Sequence, residues 1–251
     1  MNLLIDSGNS LIKWALVEND AFIAEDRCPT DSVSSLHDLW KNYEIPARVI
    51  VANVAGEWVA SEIKKVARIL WQLDAEFLVS SKSCCGLTNS YHKPEQLGID
   101  RWMAMVAAFQ MTQSPVIVVD CGTAVTIDLV NDYGLFLGGV IMPGLNTALQ
   151  SLMADTDAIE KIIEANTIAI AAALSTEEAV QAGVLLGLAG GIERVVREHV
   201  LYIDKEASIL ITGGDAEKIT AYLSVSAVVQ ADLVLQGLRV FAEKNGPGLL
   251  A

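Results

Sequence analysis

The sequence predicts an α/β protein built from two domains of related topology, each a mixed sheet flanked by helices. Three observations predict it. The first is a long-range echo: residues 3–17 read LLIDSGNSLIKWALV, and residues 117–130 read IVVDCGTAVTIDLV. Aligned without gaps, Asp6 falls on Asp120, Gly8 on Gly122 and Asn9 on Thr123, with apolar strand-like runs on either side. The second is that each hairpin is followed by helical patterns alternating with short apolar runs, an order that yields sheets covered by helices. The third is the polar, Pro-containing stretch Gln113-Ser114-Pro115 between the halves, which places a boundary between domains 1–114 and 115–251.

In the first half, the opening hairpin precedes a helical pattern over 33–43 and a strand over 47–53 (ARVIVAN). A helix over 57–70 follows, with Val59, Ile63, Val66 and Leu70 on one face, and then a strand over 76–80. A helix near 101–109 carries Trp102, Met105, Val106 and Phe109 on one face. In the second half, the hairpin leads to a strand over 135–141 and helices near 145–153, 156–164 and 176–199. A strand over 208–212 turns through GGD into a helix over 216–223; a short strand over 225–229 and a helix over 232–243 close the chain.

The bulk numbers narrow the function. The 251 residues suffice for two domains with a sizeable core. Acids outnumber Lys plus Arg by 31 to 17, for a net charge of −14, and no basic run stands out. That argues against nucleic-acid binding, whose affinity rests on neutralised phosphates. An anionic ligand then needs local devices: backbone N–H groups, a few placed bases or a bound cation. Cys28, Cys84, Cys85 and Cys121 form no C-x-x-C pair, and His37, His92 and His199 lack metal-ligand spacing. Vicinal Cys84-Cys85 could be a redox pair, but reduced thiols are the favoured reading. The N-terminus has no basic segment and meets an acid at Asp6, so it does not read as a signal peptide. The longest nearly apolar stretch, 179–192, is interrupted by Gln181 and reads as too short to span a bilayer. The expectation is a soluble cytoplasmic protein with neither membrane nor nucleic acid as partner.

The loops suggest phosphoryl transfer, which asks for positioning and charge neutralisation more than covalent chemistry. Glycine lets backbone N–H groups approach phosphate oxygens, and Asn, Ser and Thr add side-chain donors. A carboxylate at a strand end can hold Mg²⁺ directly or through water, and a lysine meets phosphate as a point charge. Asp6, Gly8, Asn9 and Lys13 supply one such set; Asp120, Gly122 and Thr123 supply a second. Either acid could also simply cap a turn. Two lobes facing each other would leave an interdomain cleft with a D-x-G hairpin on each side, a place for a triphosphate held from both sides. A third signal, ILITGGDA (209–216), ends a strand in Gly213-Gly214, where a base or ribose could lie against the backbone. In YHKPEQLGIDRW (91–102), Asp100 could accept a hydroxyl proton and Arg101 could hold a carboxylate. An Asp near a helix start is also an ordinary dipole contact.

IDSGNSLIK, YHKPEQLGIDRW, VVDCGTAVTIDL, GGVIMPG and ITGGDA, in this order, resemble type III pantothenate kinase. That family lies in the superfamily of acetate and sugar kinases, actin and the heat-shock chaperone ATPases. The resemblance runs from residue 3 to about 240 and implies two duplicated ribonuclease-H-like (actin-like) domains. It implies ATP-dependent phosphorylation of pantothenate to 4′-phosphopantothenate, the first step of coenzyme A synthesis. The stretch Asp6, Ser7, Gly8, Asn9, Ser10 to Lys13 would be the first phosphate loop, and Thr123 an ATP contact. Asp120 matches a monovalent-cation ligand and Asp100 the general base. Tyr91, Gly98, Ile99 and Arg101 match pocket positions, and Thr176 a substrate contact. The resemblance also implies a homodimer that needs Mg²⁺ with K⁺ or NH4⁺. Lys93 stands where the family often has Asn, Ser10 replaces a common Thr, and 155–166 lacks a Leu-Pro often seen there. Two other readings stay open: a non-catalytic superfamily member acting as an accessory factor, and a kinase of another small alcohol.

Overall fold

The computed structural model describes residues 1–154 and 171–246. The helix expected over 156–164 and the divergent segment 155–166 lie outside the described residues. The chain forms two compact units. The first comprises Met1–Gln113, Gly134–Phe136 and the stretch from Asp232; the second comprises Ser114–Tyr133 and Leu137–Ala231.

The sheet of the first unit is made of β1 (Asn2–Ser7), β2 (Leu11–Glu18), β3 (Ala21–Pro29), β4 (Val49–Asn53) and β5 (Ala75–Phe77), in the order β3-β2-β1-β4-β5. β1 is antiparallel to β2 and parallel to β4, because the β1–β2 link is a tight turn while β2-to-β4 passes through helical chain. Between β3 and β4 lie a 3₁₀ turn (Thr30–Ser35) and α1 (Leu36–Trp40); α2 (Glu57–Trp71) connects β4 to β5. One face of the sheet packs Leu3, Ile5, Ile12 and Trp14 against Val33, Trp40, Ile63 and Trp71. Trp40 stacks on Trp71 with ring centroids 6.0 Å apart and meets Trp14 edge-on at 5.6 Å, the geometries aromatic quadrupoles favour. A short hairpin, β6 (Ser83–Cys84) and β7 (Leu87–Asn89), precedes α3 (Ile99–Thr112), and β7 pairs in parallel with Leu135 and Phe136.

The second unit repeats the topology. β8 (Val116–Cys121), β9 (Ala124–Val130), β10 (Leu135–Pro143), β11 (Ser208–Thr212) and β12 (Val228–Val229) run in the order β12-β11-β8-β9-β10, the same third-second-first-fourth-fifth arrangement. Again the first strand is antiparallel to the second and parallel to the fourth. α4 (Leu145–Ala154), α5 (Thr176–Ile203) and α6 (Ala216–Thr220) complete this unit. Ile117, Val119, Ile127 and Ile211 pack against Leu145, Leu185, Ile192 and Val196. The duplicated, mixed-sheet α/β architecture read from the sequence is therefore the architecture of the fold.

Several elements differ from the reading. β3 was not foreseen: AFIAEDRCP is an edge strand whose mostly exposed residues carry no alternating apolar signal. The β6–β7 hairpin is too short for periodicity to reveal. The final helix, α7 (Leu233–Lys244), follows the second unit in sequence, yet it buries Leu233, Leu238 and Phe241 in the first, against α3, β1 and β4. α5 corrects a further expectation. It extends beyond 179–192 to 28 residues, and by length and composition it could cross a membrane. Ser175 caps its start by accepting from Glu178 N–H, so the helix begins before the apolar stretch. Its stripe of Leu185, Leu188, Ile192 and Val196 is packed in the core of the second unit, the placement of a core helix.

Candidate active site

The first loop hangs between β1 and β2. Asp6 lies opposite Lys13 and Ser7 opposite Ile12; Gly8, Asn9 and Ser10 make the connection. Gly8 N–H donates to Leu11 O at 3.0 Å, closing the turn. Thr30 braces it from outside: its hydroxyl donates to Gly8 O at 2.7 Å and its N–H to Ser10 O at 3.0 Å. Asn9 and Ser10 are exposed, and Asp6 and Gly8 are half-buried. Ser7 is fully buried, and its hydroxyl has no hydrogen-bond partner among the described residues. The two-residue period of a strand puts Asp6 and Ser7 on opposite faces, so the two side chains do not serve one site together. Lys13 Nζ sits 2.7 Å from Asp232 Oδ1, at the start of α7. The pair closes one wall of a cavity of about 250 Å³ shared with Trp14, Glu25 and Arg27.

The second loop is tighter. Asp120 pairs with Thr126 and Cys121 with Val125, and Gly122-Thr123 turn the chain with Gly122 N–H donating to Ala124 O at 3.1 Å. Thr123 O accepts from Gly144 N–H at 3.0 Å and from the Thr147 hydroxyl at 2.6 Å, which fixes the loop to the start of α4. A Cβ at Gly144 would lie 2.1 Å from Gly122 O, so only glycine permits this approach. The GGD turn after β11 packs on the same loop. Asp215 N–H donates to Cys121 O at 3.0 Å, and Thr212 is in register with Asp120. Gly213 has φ +95°, and a Cβ there would meet Asp120 Oδ1 at 2.5 Å. Nothing lies within 4 Å of a Cβ built on Gly214, so that side is open. The structure thus brings Asp120, Gly122, Thr123 and Gly213 together, with Gly214 beside them. Asp215 adds a second carboxyl, whose pKa burial raises while Lys218 pulls it back. Burial, followed by the charges of Asp120 and Asp215, pushes the Cys121 thiol up to about 12.

The third region runs from Tyr91 to Arg101 in the first unit. Asn89 organises it: its Oδ1 accepts from Tyr91 N–H at 3.0 Å and its Nδ2 donates to Pro94 O at 3.2 Å. A 3₁₀ turn, Pro94–Gln96, leads to Gly98 at the N-cap of α3. Asp100 falls in the first turn, where the helix dipole favours an acid, and accepts from Arg101 N–H at 2.8 Å. Burial nevertheless holds its pKa above the ordinary carboxylate value, with the backbone N–H and charge of Arg101 opposing the rise. Arg101 is only 8% exposed, and its Nη1 donates to Tyr91 Oη at 3.1 Å. The Tyr91 ring packs on Phe136 with centroids 5.5 Å apart, so the tyrosine is held from two sides. Ile99 is buried beside them as a core residue of the helix start. Thr176 is exposed in the first turn of α5 in the second unit.

Sequence reasoning missed the residues that hold these loops: Thr30, Asn89, Gly144, Thr147, Asp215 and Asp232. Most act on atoms far away in the chain, so spacing carries no trace of them. GGVIMPG did contain Gly144, and ITGGDA contained Asp215; both motifs were noticed without their bracing contacts.

Comparison with known proteins places the chain in a family. The type III pantothenate kinase family profile matches residues 2–198. A type III pantothenate kinase of Nitrosococcus oceani is 37% identical over 246 residues, covering 95% of this chain and 92% of its own. Among solved structures, a Campylobacter jejuni protein assigned to the Baf family of transcriptional activators superposes with a TM-score of 0.62 at 20% identity, covering 97% of this chain and 98% of its own. A Sinorhizobium meliloti protein assigned as a 2-dehydro-3-deoxygalactonokinase superposes with a TM-score of 0.61 at 15% identity, covering 98% of this chain and 100% of its own. At those identities the two structures speak for the fold alone. The chain belongs to the type III pantothenate kinase family.

Proposed function

We propose that this family member phosphorylates pantothenate with ATP, giving 4′-phosphopantothenate for coenzyme A synthesis. The observation that carries the reading is the Asp100–Arg101–Tyr91 arrangement at the start of α3, in a chain of this family. Pantothenate offers a primary hydroxyl and a carboxylate. Asp100 is assigned to the hydroxyl and Arg101, steadied by Tyr91, to the carboxylate, for which guanidinium is the best-matched partner. Gly98 and Ile99 shape the turn that presents them, and Thr176 is assigned as a further substrate contact. Asp100 orients the hydroxyl and takes its proton late, as the bond to phosphorus forms. Burial raises its pKa, which makes it a better base than an ordinary Asp.

ATP is assigned to both D-x-G loops. In the first, Gly8, Asn9 and Ser10 offer N–H and side-chain donors, and Lys13 offers a charge. In the second, Gly122 and Thr123 do the same, with Gly213 and Gly214 as a flat backbone for the nucleoside. Ser7 supports the loop from within the core.

Two cations belong to the reading. Among the described residues no three His, Cys, Asp or Glu cluster as an all-protein metal cage. The donors at the loops are one or two carboxylates, hydroxyls and carbonyls, an all-oxygen set that fits Mg²⁺, which keeps water and phosphate oxygens as its other ligands. Asp6 would hold Mg²⁺, through water, and Asp120 would hold K⁺ or NH4⁺. Such ions would offset phosphate charge in an acidic protein. The homodimer completes the reading, with the open Gly183, Gly187 and Gly190 positions of α5 as its contact; light scattering reads the mass.

The deciding experiment couples ADP release to a spectrophotometric signal, with and without pantothenate, in Mg²⁺ and K⁺. The expected result is ADP release that depends on pantothenate and on the monovalent ion. Equal ADP release without pantothenate, or with a panel of other alcohols, would overturn the substrate.

A further inference from the structure

The turn of the β6–β7 hairpin holds a feature that phosphoryl transfer does not use. Cys84 pairs with Leu87 across the hairpin, so Cys85 and Gly86 are the two central turn residues. Their φ angles are +53° and +94°. Positive φ at both centres marks a type I′ turn, where Asn-Gly or Asp-Gly is usual. Cysteine is a costly choice at the first centre, since a Cβ disfavours the left-handed region. The cost sets the two thiols face to face: Cys84 Sγ lies 3.4 Å from Cys85 Sγ. Both are half-buried and both are free, whereas Cys28 and Cys121 are buried.

The surroundings differentiate the two sulfurs. The Cys84 thiol donates toward Cys85 Sγ, and Asn245 Nδ2 approaches the same sulfur at 4.0 Å. Lys244 Nζ lies 3.4 Å from the Cys85 carbonyl oxygen, bringing a positive charge to the turn. These groups stabilise negative charge on Cys85: the Cys84 hydrogen bond first, then Lys244 and Asn245, lower its pKa against the opposing effects of burial and of the Glu243 charge. Cys84 shifts the other way and keeps its proton, chiefly because it is the donor of that bond. One thiol is thus set up as nucleophile and its chain neighbour as resolving thiol.

We propose that Cys84 and Cys85 form a redox modification site that reacts with a hydroperoxide and closes to a vicinal disulfide. The Cys85 thiolate attacks the peroxide; an S–O bond forms, the O–O bond breaks, and hydroxide leaves. The Cys84 sulfur then attacks the Cys85 sulfenic acid; the S–S bond forms, the S–O bond breaks, and the Cys84 proton leaves with the oxygen as water. Two thiols lose two electrons, and one hydroperoxide is reduced. The sulfurs must approach by ~1.3 Å to reach an S–S length of about 2.05 Å. A two-residue turn whose Gly86 is exposed can take up that movement, whereas a buried site cannot. Cys28 and Cys121 share neither the exposure nor a second sulfur, so they serve as internal controls.

The test treats the full-length protein with a small excess of hydrogen peroxide, blocks remaining thiols with N-ethylmaleimide under denaturing conditions, and maps the peptides. The expected product has lost two hydrogen atoms and two labels at Cys84-Cys85, keeps the labels on Cys28 and Cys121, and reverts with dithiothreitol. Cys84→Ser should leave a Cys85 sulfenic acid that dimedone traps, while Cys85→Ser should leave Cys84 labelled. Full labelling of both residues at peroxide doses that already oxidise methionine would overturn the proposal. So would a disulfide that maps to any other pair. The wild-type result stands whether or not the variants fold.

Discussion

The hairpin around Asp6 and the hairpin around Asp120 share strand order, carboxylate position and glycine, yet they are held by different means. In the first, Asp6 faces Lys13 across three connecting residues, and Thr30 braces the loop with both its hydroxyl and its backbone N–H. In the second, Asp120 faces Thr126 because the connection is one residue shorter. That loop is boxed in by backbone, with Gly144 against the Gly122 carbonyl and Gly213 against the Cys121 carbonyl. A duplicated motif has thus become one adaptable loop with exposed polar tips and one rigid loop that only glycine neighbours allow. The lesson is mechanical. Both loops are held by backbone and side-chain hydrogen bonds; only the second adds approaches too close for a Cβ, which prebuild its shape.

The largest expected effect lies on neither hairpin and sets the scale for both. Asp100→Asn should lower kcat by about 10²–10⁴-fold, the usual worth of a positioned general base. Its acid limb should also sit higher than an ordinary aspartate's, since burial raises the Asp100 pKa. The sign for stability is opposite. Between the unfolded and the raised folded pKa the native state binds more protons, so stability falls as pH rises through that window. Asp100→Asn should therefore unfold at a higher temperature than wild type near neutrality. A near wild-type kcat would remove Asp100 from the chemistry.

Gly144→Ala comes next and tests the rigid loop. The new Cβ must displace Gly122 O, from which it would lie 2.1 Å; overpacking of this kind costs about 1–3 kcal/mol. Gly8→Ala is the matched change in the adaptable loop, where the nearest atom, Leu11 O, is 3.3 Å away. It should cost clearly less in the same urea titration. Equal losses would erase the distinction between the loops.

Thr30→Val should cost about 1 kcal/mol for the lost hydrogen bond to Gly8 O, and it should raise KM for ATP more than it lowers kcat. The smallest stability effect is expected from Asp232→Asn. The Lys13–Asp232 pair is partly exposed, at 23% and 35% side-chain accessibility, and such pairs contribute about 0–1 kcal/mol. Its kinetic effect should appear in KM for ATP and weaken with salt, if Asp232 aims Lys13 at phosphate. Lys13→Met should then mask the Asp232 change, a coupling that a double-mutant cycle reads.

Much of this was legible in the chain. Apolar alternation placed β1, β2, β8 and β9, and helical period placed α2, α3 and α5, because buried faces demand those periods. β3 escaped because an edge strand buries little and AFIAEDRCP carries three charges, Glu25, Asp26 and Arg27. α7 was recognised as a helix but its unit was not, since an apolar face states that it must be covered and not by what. Lys13 illustrates the same limit: a lysine in a strand is visible, and its partner Asp232 is not.

By itself, the sequence determined the local geometry. Two carboxylates end two strands, two glycine turns follow, and an acid–base neighbour pair opens α3, all from contacts between chain neighbours whose spacing is written in the residue order. Tertiary structure decided which distant groups meet: Thr30 on the first loop, Gly144 and Gly213 on the second, Asp232 on Lys13, and the tail of α7 on the Cys85 turn. Those pairings depend on strand order and helix packing, which sum contacts over the whole chain, so no short stretch of sequence contains them.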